Sequence, residues 1–377
     1  MTNSKNFTHQ TSDSKAKEYS KVRIKLSIFN IILTVFLLSI VIFSRLTFLF
    51  RDWALDFSDN YFFVIFYYFI FFYFFSLIID FPLDLYSSFF IEHKYGLSNQ
   101  SFKAWFWEDS KKRLLAFGLG FILLEMLYGI IRLSPHRWWL WCWAFWIFFS
   151  VVLGKLAPVL IVPLFYKYDE IKDESLKDLI MKLVEGTKLR ISNVYSLNLS
   201  KTTKKANAAF CGIGRTKRVV LGDTLISQFN PHEIEVVVAH EVGHYSLKHI
   251  WKHITFSICT SLIAFYLAFL ALANSMGVLG FSGTEDVATF PLICLIFFLF
   301  NIAIMPFQNA YSRTMEHEAD QFALNRTKRR EDFVTTMKKL GEINLSDPSP
   351  HPFIEFIFYS HPSLKKRIDW ARGYPIQ

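Results

Sequence analysis

Six long apolar runs alternate with polar and charged segments along the chain. A transmembrane α-helix needs roughly 20 apolar residues, and each run has about that length. A cleaved signal peptide is the alternative for the first run, but this run lacks a small-residue cleavage site and ends at Arg45. We therefore predict six transmembrane helices, over residues 26–44, 61–79, 114–131, 138–154, 254–273 and 287–305.

The polar segments complete the predicted organisation. Residues 1–25 are rich in Ser, Thr and Lys and are expected to form a mobile tail. Four spans with their loops then occupy residues 26–165, and two more occupy residues 254–310. Soluble segments are expected at residues 166–253 and at residues 311–377.

The first soluble segment combines helical and strand-like patterns. Apolar residues recur at helical spacing over residues 170–189, and strand-like pieces follow at residues 194–199, 206–212 and 218–221. Basic or glycine-containing turns separate these pieces, which favours a small antiparallel sheet. The expected fold class is therefore mainly α, a multispan transmembrane protein with a small α+β domain at one membrane face.

Composition and charge support the membrane assignment and set its orientation. Hydrophobic residues make up 52% of the chain, and the mean hydropathy is +0.27. The net charge of +9 would suit a nucleic-acid-binding protein, but Lys and Arg lie mainly between the spans, where they orient a protein in the bilayer. Beyond Arg45, the loops on one side hold only Arg51, Arg132 and Arg137. The positive-inside rule therefore places both termini and the soluble segments in the cytosol, and we expect no nucleic-acid partner.

The clearest chemical signal is an H-E-x-x-H pattern in residues 230–249. Asn230 suits the N-cap of a helix, and Glu233 stands where a capping box places its carboxylate. His240 and His244 are four residues apart, on one helical face, so both imidazoles can bind one metal ion. Glu241 is adjacent and can take a proton from a metal-activated water. The alternative is an accidental match on an amphipathic helix.

Two further histidines follow the pattern. If the helix continues, His249 and His253 lie nine and thirteen residues after His240, on roughly the opposite face. We therefore expect these two side chains at the membrane interface and not at the metal.

A catalytic zinc site needs a third protein ligand and one position open to water. Glu316, which follows the sixth span, is the candidate. His244 lies ten residues before the fifth span and Glu316 eleven after the sixth, and a short loop joins these two spans. At 1.5 Å per helical residue, both stand roughly 15 Å beyond the span ends, at the same level.

The neighbours of Glu316 offer both support and alternatives. Asp320 lies one helical turn later and is expected to accept the free N–H of His240 from outside the metal. The alternative for Glu316 is a solvated surface carboxylate with no role in metal binding. His317 and Glu318 are competing ligands, but they point about 100° and 200° away from Glu316 round the helix.

The ordered set of motifs resembles the type I CAAX prenyl protease family of integral-membrane zinc proteases. H-E-x-x-H is followed by Glu316-x-x-x-Asp320, and the resemblance covers roughly residues 80–372. Further stretches that resemble the family lie at residues 80–99, 158–167, 207–225 and 361–367.

The resemblance implies a chamber enclosed by the spans, with one zinc ion per chain at its cytosolic side. It also implies that Asn207 and Ala208 lie on an edge strand that pairs with the substrate backbone. His361 would stabilise the oxyanion of the tetrahedral intermediate, and Arg367 would brace the region of Glu316. Without the resemblance, His361 before a proline is a turn residue, and Arg367 is a charge on a helix surface.

Two features depart from the family pattern. Eukaryotic members have seven spans, whereas six are predicted here, and the family's bulky residue after Asn-Ala is Ala209 in this chain. Both bear on substrate preference more than on chemistry. Glu125, inside the third span, is expected either to line the chamber or to hydrogen-bond at a helix interface.

The predicted function is a monomeric membrane zinc metalloendopeptidase that cleaves near the C-terminus of peptides or proteins, prenylated or not. The membrane is a bacterial inner membrane or the endoplasmic reticulum. An HtpX-like quality-control protease is the first alternative. A site-two type protease fits less well, because such enzymes bury the motif within a span. The second alternative is a scaffold with a structural metal site, but such a site needs no base such as Glu241.

Overall fold

Long helices dominate the structure, a computed structural model that describes residues 2–185, 187, 193–211 and 218–376. Of residues 2–12 and residue 211 it describes the backbone alone. Among these residues, the α-helices are α1 Thr2–Phe43, α2 Leu46–Phe57, α3 Tyr61–Asp84, α4 Ile91–Lys94, α5 Phe102–Leu133, α6 Trp138–Leu156, α7 Val162–Phe165, α8 Glu174–Val184, α9 Asp223–Gln228, α10 Pro231–Ser246, α11 His249–Leu279, α12 Phe290–Thr327, α13 Arg330–Asn344, α14 Pro352–Phe358 and α15 Leu364–Gly373. Short π-helical turns join α3 to α4 and α6 to α7.

Six helical segments of the described chain are long and apolar enough to cross a membrane. They are Asp13–Phe43, Tyr61–Lys94, Phe102–Leu133, Trp138–Phe165, His249–Leu279 and Val287–Thr327. Each contains one of the predicted apolar runs, except that the first segment ends at Phe43, one residue before the end of its run. The prediction of six spans is therefore confirmed. The last segment extends well beyond its apolar run, to Thr327, and so includes Glu316 and Asp320.

Aromatic side chains form the core between the membrane helices. Tyr68, Tyr128 and Trp138 are fully buried there. Buried hydroxyl groups are satisfied inside the core: Tyr68 shares a hydrogen bond with Thr47, and Tyr128 with Thr289. Such pairing is required, because lipid offers no alternative partner. Helix α2, which the apolar runs did not predict, packs against α3 and supplies Thr47.

The N-terminal segment is not a free tail over the residues whose side chains are described. Residues 13–25 continue α1, and Ala16, Tyr19 and Ser20 are buried. Tyr19 donates a hydrogen bond to Glu92, and Ser20 shares one with Tyr359. The prediction of a mobile tail is wrong for these residues. Their polar composition suggested a tail, but the buried side chains share one helical face and pack on two distant segments.

Four short strands form one mixed sheet, with β1 at Tyr168–Glu170, β2 at Val194–Leu197, β3 at Ala208–Cys211 and β4 at Arg218–Gly222. The order is β1-β2-β4-β3, and β2 runs parallel to β4 while the other two pairs are antiparallel. The predicted all-antiparallel sheet is therefore wrong in one pair, and β1 was missed. The predicted helix end at residue 189 and strand end at residue 212 lie outside the described residues.

The soluble domain is built round α10. This helix packs against α8, β3, α12 and α13, and its buried residues Ile234, Val238 and Val242 join the sheet residue Leu221 in one core. At Gly243 the backbone of α12 comes so close that a Cβ would stand 3.2 Å from the Ala319 Cα. The absence of a side chain at Gly243 thus lets α10 and α12 approach each other.

Candidate metal centre and active site

Helix α10 begins with the capping box that the sequence predicts. The Asn230 side chain accepts from the Glu233 N–H, and the Glu233 carboxylate accepts from the Asn230 N–H. Two otherwise unpaired backbone donors are thereby satisfied, which fixes where the helix starts. The helix continues to Ser246 and presents His240 and His244 on the face that meets α12.

Two imidazoles of α10 and one carboxylate of α12 converge on one point. The Nε2 atoms of His240 and His244 are 3.1 Å apart. Glu316 Oε2 lies 3.2 Å from His240 Nε2, and Glu316 Oε1 lies 3.3 Å from His244 Nε2. Among the described residues, these three side chains form the group that could hold a metal ion.

This geometry and donor set fit zinc. Zinc binds imidazole nitrogen and carboxylate oxygen at about 2.0–2.2 Å, so ligand atoms at tetrahedral angles stand about 3.3 Å apart. The two Nε2 atoms stand 3.1 Å apart, and one Glu316 oxygen lies 3.2 Å from His240 while the other lies 3.3 Å from His244, each close to that spacing. The electrostatics also favour a cation here. Burial alone would lower the pKa of His240, but its hydrogen bonds to Asp320 and Glu316 outweigh burial and raise the pKa to about 9.

The far side of His240 is held by a buried ion pair. Asp320 Oδ1 lies 2.9 Å from His240 Nδ1, the length of a hydrogen bond although its direction is not ideal. Arg367 donates two hydrogen bonds to the same carboxylate, from Nε to Oδ2 at 2.8 Å and from Nη2 to Oδ1 at 2.6 Å. Asp320 is 1% exposed. Arg367 thus contacts the carboxylate that holds His240, and not Glu316 itself.

The far side of His244 meets a residue that the sequence analysis placed elsewhere. His249 Nδ1 lies 2.9 Å from His244 Nδ1, and His249 is 1% exposed. The prediction that His249 lies on the opposite face is wrong, because α10 ends at Ser246 and α11 begins at His249. Lys248 between them has a left-handed backbone with φ 59°. The ring of His253 meets that of Tyr311 edge-on, with 6.1 Å between the ring centroids.

Glu241 and His361 approach the same centre from its open side. No described residue hydrogen-bonds the Glu241 carboxylate, and burial raises its pKa against the lowering effect of His240 and His244. His361 Nε2 lies 3.2 Å from Glu316 Oε1, and its side chain is 58% exposed. The loop that carries His361 is anchored by Glu355, a buried carboxylate that the sequence analysis missed. It accepts from the Ser363 N–H and pairs with Lys366.

Strand β3 lies at an edge of the sheet and packs against α10. Ala208 is its first residue, paired with Leu221 of β4. Asn207 precedes the strand, accepts the Gly222 N–H on its carbonyl, and accepts the Ala208 N–H on its own side chain. The structure therefore places Asn207 and Ala208 at the start of a strand that, among the described strands, pairs with β4 alone.

The remaining candidates lie outside the centre. The rings of His317 and Trp370 are in edge contact at 4.4 Å, and Glu318 turns toward α11. Glu125 lines a cavity with Tyr61 and Arg132, and its Oε1 has no hydrogen-bond partner in the described part of the chain.

Two protein families match this chain, one over its first four membrane spans and one over the rest. Residues 170–374 match peptidase family M48, and residues 3–167 match the family described as CAAX prenyl protease N-terminal, five membrane helices. Within the second match, four described helices are long and apolar enough to cross a membrane.

Individual relatives agree with these matches. An uncharacterized metalloprotease of Bacillus subtilis (strain 168), YhfN, is 29% identical over 94% of this chain and 84% of its own. A CAAX prenyl protease 1 homolog of Arabidopsis thaliana is 32% identical over 78% of this chain and 70% of its own. The crystal structure of S. mikatae Ste24p superposes with a TM-score of 0.85 at 26% identity, covering 97% of this chain and 89% of that one.

The likeness to this solved structure confirms the expected fold class, in which membrane helices enclose a chamber beside a small α+β protease domain. The chain therefore belongs to the type I CAAX prenyl protease family, within peptidase family M48, and is a multi-pass membrane zinc metalloprotease.

Proposed function

We propose that this enzyme hydrolyses peptide bonds near the C-terminus of peptide or protein substrates, with zinc held by His240, His244 and Glu316. The observation that carries the proposal is the convergence of two imidazole nitrogens of α10 and the carboxylate of Glu316 on α12, a group of His and Glu side chains close enough to hold one metal ion. A scaffold with a structural metal needs a closed site. Here the half-exposed side chain of His361 and the unpartnered carboxylate of Glu241 border the centre, which favours catalysis.

Bound at this position, zinc supplies a Lewis acid for the scissile carbonyl and acidifies a water molecule. Glu241 takes the proton of that water and delivers it to the leaving amine. Its raised pKa suits this work, because a carboxylate with a higher pKa is a stronger base. The lack of a hydrogen-bond partner leaves both of its oxygens available to the water.

His361 is proposed to donate a hydrogen bond from Nε2 to the developing oxyanion. Support comes from its place beside Glu316, on the exposed side of the centre. A donor aimed at charge that develops only in the transition state accelerates the reaction by about 10²–10³ in comparable sites. Ser360 and Glu355 hold the loop that presents this ring. Arg367 and Asp320 are proposed to orient His240 and not to contact the substrate.

The substrate is proposed to bind as an added strand along β3, at Asn207 and Ala208. An edge strand offers backbone donors and acceptors, which bind the main chain of a peptide with little regard to its side chains. The order of the sheet supports this, since β3 has β4 on one side alone among the described strands.

For substrate class, we propose CAAX-type peptides that carry a prenyl group. The relatives from Arabidopsis thaliana and Saccharomyces cerevisiae are named CAAX prenyl protease 1. A second candidate is turnover of unprenylated peptides or membrane proteins, as in a quality-control protease. The likeness over most of both chains to a bacterial metalloprotease favours it, because prenylated proteins require a eukaryotic host.

We further propose that the enzyme acts as a monomer and exposes its active site and both termini to the cytosol.

One experiment tests the chemistry and separates the two substrate classes. The full chain is purified in detergent with zinc and given two peptides of one CAAX-type sequence, with and without a prenyl group on the cysteine. We expect cleavage of the prenylated peptide with the higher kcat/KM. Equal rates on both would favour the second candidate.

The matched variant is Glu241→Gln, which keeps the shape of the side chain and removes the base. We expect cleavage to fall by at least 10²-fold while one zinc per chain is retained, since Glu241 is not a ligand. Cleavage at the native rate by this variant would overturn the proposed mechanism.

A further inference from the structure

The two histidine ligands are supported in different ways. His240 meets a carboxylate directly, at Asp320. On its Nδ1 side, His244 meets none of the described carboxylates and contacts the ring of His249 instead. His249 in turn reaches Glu318, whose Oε2 lies 2.8 Å from His249 Nε2.

The Glu318 carboxylate also pairs with a lysine. Lys252 Nζ donates to Glu318 Oε2 at 2.8 Å, one turn of α11 beyond His249. Glu318 is 38% exposed and Lys252 39%, so their pairing lies at the surface, whereas His249 is 1% exposed. The contacts therefore lead from a solvated ion pair, through one buried ring, to His244.

The arrangement fixes which nitrogen of each ring carries the proton. An ionised carboxylate only accepts hydrogen bonds, so His249 must donate to Glu318 from Nε2. A neutral His249 then has a bare Nδ1, which can only accept, so His244 must donate from its own Nδ1. The Nε2 atom of His244 is left with its lone pair, and this lone pair points at the site.

The same reasoning applies to His240, whose Nδ1 faces Asp320. Once both rings are neutral, as zinc ligands must be, both Nε2 atoms carry lone pairs, and they stand 3.1 Å apart beside the Glu316 carboxylate. Two lone pairs cannot hydrogen-bond to each other, and neighbouring acceptors repel. A cation between them removes the repulsion, so the two lines of support together prepare the rings for a metal.

The backbone break between α10 and α11 makes the contact possible. Five residues of unbroken helix turn through about 500°, which would put His249 about 140° away from His244. The left-handed conformation of Lys248, with φ 59°, redirects the chain so that the two rings meet.

We propose that His249 and Glu318 are positioning residues for the zinc ligand His244, and that Glu318 acts through His249 to fix its ring and tautomer. The inference rests on the proposed assignment of His244 as a ligand. Partners that hold a ligating histidine from outside the metal typically change metal affinity by about 10- to 100-fold when they are removed.

The test measures zinc affinity in the full-length protein, by competition with a chromophoric chelator in detergent. His249→Phe keeps a ring and removes both nitrogens, and we expect zinc to bind about 10- to 100-fold more weakly. Glu318→Leu removes the only acceptor for His249 Nε2 that the described chain provides, and we expect a loss in the same range. Glu318→Gln still offers an oxygen to His249, so its loss should be smaller. His232→Ala, which changes an exposed histidine of α10, is the matched control and should bind zinc as the native protein does.

The visible absorption spectrum of the cobalt-substituted protein distinguishes a positioning role of His249 from a role in packing alone. Cobalt in place of zinc absorbs visible light according to the geometry of its ligands, and we expect His249→Phe to change that absorption and Glu318→Gln to retain it. Thermal unfolding of the metal-free variants measures their packing. A role in packing alone would lower that unfolding temperature and leave zinc affinity and the cobalt spectrum as in the native protein, which would overturn the inference.

Two further outcomes are distinguishable. If His249→Phe fails to fold, Glu318→Leu decides, because its substitution lies at the surface. Native zinc affinity in that variant would then count against the inference. His244→Ala tests the ligand assignment itself. Native affinity in His244→Ala would remove the basis of the proposed function, whereas its loss together with native affinity in His249→Phe and Glu318→Leu would overturn the positioning role alone.

Discussion

Replacement of Gly243 by alanine tests whether close packing of two helices sets the zinc site. A Cβ at Gly243 would stand 3.1 Å from the Phe322 Cβ, 3.2 Å from the Ala319 Cα and 3.3 Å from the Ala319 carbonyl oxygen. Carbon atoms in contact prefer at least about 3.5 Å, so α10 and α12 must separate by about 0.3–0.4 Å. Backbone atoms supply two of these three contacts, and backbone cannot rotate away.

This separation exceeds what the metal site tolerates. Ligand distances in a working site stay within about 0.2 Å of their ideal values. The histidines lie on α10 and Glu316 on α12, so the shift acts directly on the distances between them. Overpacking of this kind costs about 1–3 kcal/mol. If the metal-free protein relaxes and the zinc-bound protein cannot, zinc binds about 5- to 150-fold more weakly.

The assay is zinc competition in detergent together with thermal unfolding. Gly118→Ala is the matched control, because no atom lies within 4 Å of its added Cβ and its site is remote. In a helix interior, alanine for glycine adds roughly 0.5–1 kcal/mol of stability, so the control should be as stable as the native protein or more so. If Gly243→Ala also unfolds no earlier than the native protein and binds zinc equally well, the reasoning from close packing is refuted.

Two other predictions concern the buried ion pair and the orientation. Arg367→Met removes both guanidinium hydrogen bonds from the buried Asp320 carboxylate, so we expect about 3–5 kcal/mol lower stability in thermal unfolding. Adding Asp320→Asn should recover part of that loss, and strictly additive effects would contradict the coupling. For orientation, green fluorescent protein fused at the C-terminus should fluoresce in bacterial cells, and alkaline phosphatase fused there should stay inactive. The opposite pair of results would place the C-terminus outside the cytosol.

Patterns local in sequence predicted much of the fold. The six spans follow from the lengths of the apolar runs, since bilayer thickness fixes how many helical residues are needed. The start of α10 follows from Asn230 and Glu233, because a capping box involves residues only three apart. The proximity of His244 and Glu316 also followed from counting, because two helices joined by a short turn keep a common level.

Patterns that depend on distant contacts were missed. The parallel pairing of β2 with β4 cannot be found from strand composition, and neither can the burial of Tyr19 against Glu92. Helical spacing put His249 on the wrong face, because that argument assumes an unbroken helix. A single left-handed residue, Lys248, invalidates it.

The sequence alone determined which residues could bind the metal and that His244 and Glu316 lie at a common level. Only the tertiary structure decided how those ligands are held: His240 by Asp320 and Arg367, and His244 through His249 by Glu318. The physical reason is the distance along the sequence over which each effect acts. Helical periodicity and bilayer thickness act on neighbouring residues, whereas the tautomer and orientation of a ligand depend on side chains that packing brings from other helices.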